Sequence, residues 1–129
     1  MISKPLLQPQ EVEVYYIIPA LKRQLAHAMK TKGMKQKEIA ALLHVETATI
    51  SQYVHNKRGN KITFEEPLLT EINHSSHAIT DHLTFIQEIQ RLLRVVKHSG
   101  ALCSIHKQLS PVPNQCSPGL INCFGGTDD

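Results

Sequence analysis

Between Ile39 and Val54 the chain keeps helical spacing twice, with a slip of phase in between. Ile39, Leu42 and Leu43 share one helical face, and Ile50, Tyr53 and Val54 share another, but "HVETA" sets the two out of register. One straight helix cannot bury both stripes on the same side. Two short helices joined by a tight turn can, and this commits the region to helix packing. Directly afterwards comes "NKRGNK", a turn-forming and basic run.

The rest of the chain agrees with an all-α plan of five helices and an irregular tail. Pro19 suits the first turn of a helix running to Lys32, where its missing N–H costs little. The stripe of that helix is Ile18, Leu21, Leu25, Ala28 and Met29, and Gly33 suits its C-terminal cap. The pair then covers about 36–43 and 47–55, and Pro67 with Glu65 and Glu66 marks a fourth start. The fifth helix spans about 79–96: Ile79, Ile86 and Leu93 recur every seven residues, and Leu83, Phe85, Ile89, Leu92 and Val96 broaden the stripe. No alternating strand pattern is present. Four zones result: a loose arm over 1–10, a helical domain over 11–78, a long helix over 79–98, and a tail over 99–129.

Within the pair, Gln36, Ile39, Ala40, Leu43, Val45, Ile50 and Tyr53 stand where a helix-turn-helix needs them. Ala40 is small where the helices cross, and Leu43, Val45 and Ile50 face a shared core. With the turn at His44 to Glu46, Thr47, Ala48, Thr49, Ser51 and Gln52 fall on or near the outer face of the second helix. Hydroxyls and an amide on such a face can read base edges in a major groove. Asn56, Lys57, Arg58 and Lys61 follow, where cations can hold phosphate. Lys35, Gln36 and Lys37 open the preceding helix, whose N-terminal amides also favour phosphate.

"QKEIAALLHVETATISQYVHNKRG", within residues 18–75, resembles the Cro/C1-type helix-turn-helix domain of bacterial and archaeal transcriptional regulators. The resemblance implies a five-helix DNA-binding domain that works as a dimer on a near-palindromic operator in double-stranded DNA. By matching position, Gln36 would touch the DNA backbone, and Thr47, Ala48 and Gln52 would face bases. The same fold also serves protein-interaction modules such as antitoxins. Three positions depart from the pattern. His44 stands where Gly is usual and must accept a left-handed backbone or shift the turn. Lys35 and Glu46 stand where Ser or Thr would cap, a loss of about 1 kcal/mol each.

The chain has 129 residues, one domain's worth, and a formal charge of +3, which fits a polyanion partner without demanding one. Tryptophan is absent and aromatics are 5%, so the core must be aliphatic. No run approaches a membrane span, and the first ten residues lack the apolar run of a signal peptide. Three cysteines, an odd number, argue against a closed secreted disulfide framework, and the expected location is cytoplasmic. The fifth helix exceeds what the DNA-binding domain needs, which points to a homodimer seam holding two reading helices one DNA turn, roughly 34 Å, apart.

The tail holds every cysteine: Cys103, Cys116 and Cys123, with His106 three residues after the first. Thiolates and an imidazole can close a tetrahedral zinc site or hold an iron–sulfur cluster, and a bound ion would offset the cost of ordering such a segment. The arrangement is similar to a mostly archaeal subset of predicted Cro/C1-type regulators with a Cys-x2-Cys after the last long helix; here His106 replaces the second cysteine. No partner that would orient a catalytic imidazole is legible nearby, so an enzyme is not expected.

Overall fold

The structure, a computed structural model, describes residues 5–110, and every regular element among them is helical. The first three elements run on without interruption: α1 (Pro9–Val12), a π-helical segment (Glu13–Ile17) and α2 (Ile18–Thr31). Pro19 explains the wide turn. It has no N–H to give the carbonyl of Tyr15, and its ring crowds that carbonyl. The ladder has already shifted one residue before it, with the Ile18 N–H on the Glu13 carbonyl.

After Gly33 come α3 (Gln36–Leu43) and α4 (Thr47–Val54), then α5 (Leu68–Ala78), α6 (His82–His98) and α7 (Ala101–Leu109). α2 is the hub, packed against α3, α4, α5 and α6. Its Ala20, Leu21, Leu25, Ala26 and Met29 are all fully buried. Ile39, Leu43 and Ile50 close the core from the α3–α4 side, and Leu92 and Val96 close it from α6. No helix among the described residues is long and apolar enough to cross a membrane.

Three boundaries differ from the expectation. α1 begins inside the stretch read as a loose arm: Pro9 is buried, and the Gln8 N–H donates to Glu11 Oε1 at 2.7 Å. The long helix starts at His82 rather than Ile79, because Asp81 caps it by accepting from the Thr84 N–H at 2.8 Å. Ile79 is extended there and buried in the corner.

The third difference is the largest. The stretch from 99 onward, read as irregular, opens with a helix. Leu102 and Ile105 keep a helical spacing and are buried. The prolines that dictated the loop reading begin only at Pro111. α7 packs against α1 and α6. Leu7 ties it down from both sides: its N–H donates to Ser110 Oγ at 2.9 Å, and its carbonyl accepts from His106 Nε2 at 2.6 Å.

Candidate nucleic-acid interface

The turn at 44–46 forms without shifting. His44 adopts the left-handed conformation (φ 56°, ψ 48°), and the Val45 N–H closes on the Ala40 carbonyl at 3.0 Å. Such a backbone costs a residue with a Cβ about 1–2 kcal/mol. The His44 ring meets His82 edge to face, centroids 4.6 Å apart, which fastens the turn to the start of α6. Lys35 makes no side-chain cap, but Glu38 Oε1 accepts from its N–H at 2.8 Å. Glu46 caps nothing.

α4 turns Ile50 and Tyr53 inward and leaves Thr47 and Ala48 exposed, with Thr49, Ser51 and Gln52 half-buried. Near the end of α4 the Ser51 carbonyl accepts from His55 Nδ1 at 2.8 Å, which ties that ring to the helix end. Gln52 is held from the loop: Arg58 Nε donates to its Oε1 at 2.7 Å. This contact joins the amide expected to read bases to the guanidinium expected to grip phosphate. Asn56, Lys57, Arg58 and Lys61 are all exposed, as are Lys35 and Lys37, while Gln36 is half-buried.

The basic loop is seated, not free. Arg23 on α2 donates from Nε to the Gly59 carbonyl and from Nη1 to Asn56 Oδ1, both at 3.1 Å. Asn56 is left-handed (φ 58°) and Asn60 Nδ2 donates to its carbonyl at 2.6 Å. Gly59 is required by space as well as by φ (+70°), since a Cβ there would lie 2.5 Å from the Pro19 carbonyl oxygen. His27 Nε2 donates to the Tyr53 carbonyl at 3.1 Å, fastening the end of α4 to the same helix. Burial pushes the Tyr53 hydroxyl pKa up, and nearby Arg58 opposes the shift. Arg23 and His27 escaped the sequence reading. Their partners lie 33 to 36 and 26 residues away, beyond any local pattern.

α6 divides its stripe. Ile79, just before it, with Ile89, Leu92 and Val96 are buried inside this chain, Phe85 and Leu93 are half-buried, and Leu83 and Ile86 are 62% and 58% exposed. Of the heptad series, Ile86 alone faces solvent. Arg91 braces α6 to α5 by donating to Glu71 Oε1 at 2.6 Å and to Ser75 Oγ at 2.8 Å, and it also donates to Glu88 Oε1 of its own helix at 3.0 Å. Burial raises the pKa of Glu88, but hydrogen bonds from Ser75 and Arg91 outweigh it and hold the carboxylate below its ordinary range.

Cys103 and His106 lie one turn apart on α7, the first half-buried and the second buried, while Cys116 and Cys123 lie outside the described residues. A carbonyl only accepts, so His106 Nε2 carries the proton toward Leu7, and in the neutral ring Nδ1 is the atom with a lone pair. A backbone carbonyl on the other ring nitrogen is the usual support of a ligating imidazole. Among the described residues alone, no group of three or more potential ligands converges. Compared with known protein families, with curated proteins and with solved structures, the chain matches none.

Proposed function

We propose that the chain is a sequence-specific regulator of transcription that binds double-stranded DNA through α4, in the manner of Cro/C1-type proteins. One observation carries the reading: Thr47 and Ala48 stand exposed at the start of α4, and Gln52 on the same helix is held by Arg58 of a cationic loop seated on α2. A groove reader needs this pairing. Polar atoms address base edges, and an adjacent fixed cation sets the register against phosphate. The +3 charge supplies mild attraction to the duplex. A homodimer through the exposed Leu83 and Ile86 would bring two such helices to one operator.

The tail extends the proposal. Cys103 and His106, with Cys116 and Cys123, would hold zinc or an iron–sulfur cluster, a centre that responds to metal supply or oxidation. Anaerobic purification with metal analysis and absorbance between roughly 300 and 500 nm tests this part. Protein without metal, and DNA affinity unchanged by Cys116→Ser, would remove it.

The main reading is tested by selecting duplexes from a random pool. Gln52→Ala should then cost about 1–3 kcal/mol on the selected site and little on random DNA. Equal loss on both would mean that Gln52 does not read bases. A second reading is a protein-interaction module of the antitoxin kind, in which the apolar Leu83 and Ile86 on α6 would seat a different protein instead of a second copy. It takes over if no duplex sequence is enriched.

A further inference from the structure

All three tyrosines of the chain line one recess, of about 570 Å³, where the π-helical segment meets the basic loop. Tyr53 is buried, Tyr16 is half-buried and Tyr15 is 62% exposed, so the rings run from floor to rim. Lys22, Lys57, Arg58 and Lys61 share the walls, and among the described residues no carboxylate does. The backbone fixes one edge of the recess, where the loop lies directly against α2. Any side chain in place of Gly59 would collide with the Pro19 carbonyl, and the wide turn ahead of Pro19 carries Val14 and Tyr15, both exposed.

DNA reading by α4 does not account for this recess. Phosphate contact needs the lysines but no aromatic floor, and an exposed ring among cations is an arrangement that recognises a ring bearing negative charge. The volume lies within the roughly 300–1,000 Å³ of small-molecule sites. We infer that the recess binds a free nucleoside monophosphate or an anion of the same build: a planar ring stacked on Tyr15 and Tyr16, and a phosphate held by Lys57 and Arg58. The site stands on this geometry alone. Its consequence rests on the DNA reading: a nucleotide phosphate on Lys57 and Arg58 occupies the cations proposed to hold DNA phosphate, and so competes with the duplex for them.

The experiment uses full-length protein with ring-13C-labelled tyrosine, in which each of the three tyrosines reports from this recess. AMP should shift all three sets of ring resonances with half-saturation below about 1 mM, and adenosine and inorganic phosphate should each bind at least about ten-fold more weakly. Tyr15→Ala, at an exposed position and expected to keep the wild-type circular dichroism spectrum, should weaken AMP about ten-fold, and Lys57→Gln should do the same. A short DNA strand without a terminal phosphate separates free nucleotide from strand, and it should bind more weakly than AMP. Phosphate equal to AMP, a strand equal to or tighter than AMP, unmoved tyrosine signals, or full affinity in Tyr15→Ala would each overturn the assignment. Because no readout here involves a duplex, failure of the recess and failure of the DNA reading remain distinguishable.

Discussion

α4 and α6 both bury one face in the same core, yet only α6 also leaves large apolar side chains in solvent. α4 has eight residues, and its outer face carries hydroxyls, a methyl group and an amide. α6 has seventeen and exposes Leu83 and Ile86 at its start. The difference lies in what surrounds them. α4 is short, so its placement depends on outside anchors: the His44 turn, the His27 bond to Tyr53 and the loop that Arg23 holds. α6 is capped by Asp81 and braced by Arg91, and it would keep its place without its exposed apolar pair. On the proposed reading, the apolar pair on the well-braced helix would serve a protein contact, and the polar face of the pinned helix a polar groove.

The contrast breaks most readily at the α4 anchors. Gly59→Ala should cost about 2–4 kcal/mol in urea unfolding, combining a left-handed backbone with a clash against the Pro19 carbonyl. A loss below about 1 kcal/mol would show that the loop is not seated on α2. Next in size is the Arg58–Gln52 contact. Arg58→Ala should flatten the salt dependence of DNA affinity by about one unit of log–log slope, and its effect on the selected site should be non-additive with Gln52→Ala by at least 0.5 kcal/mol or so. Strict additivity would separate clamp from reader.

On the α6 side the expected effects are smaller. The pKa of Glu88 is depressed in the folded state, so its contribution is present at neutral pH and is lost as pH falls through and below the ordinary carboxylate range. Glu88→Gln should therefore cost about 1 kcal/mol at neutral pH and reduce the loss of stability on acidification. An unchanged acid profile would mean that the α5–α6 brace does not depend on this charge. Ile86→Asp should change unfolding stability by less than about 0.5 kcal/mol while abolishing any self-association seen in sedimentation. A dimer that survives this substitution would move the contact off α6.

Much of the α3–α4 region was legible because its information is local. Spacings of three and four residues report which side of a helix is apolar, and a break in phase reports a turn. The helices at about 36–43 and 47–55, the second of which ends at Val54, the buried Ala40 and the left-handed demand on His44 all follow from short-range pattern and backbone sterics. α7 is not legible in the composition of 99–129, where the later prolines and glycines mask the helical spacing of Leu102 and Ile105.

By itself the sequence determined the helical class, the turn and the set of polar residues offered along α4. Only the tertiary structure decided which cations are held and by what, since Arg23, Gly59 and Pro19 meet across more than thirty positions of chain. It also decided that three tyrosines from two distant segments share one recess, and that only Leu83 and Ile86 of a broad stripe stay uncovered. The physical reason is the same in each case. Periodicity constrains the direction of a side chain about its own helix axis, but its neighbours are chosen by how the helices pack, and that is a property of the whole core.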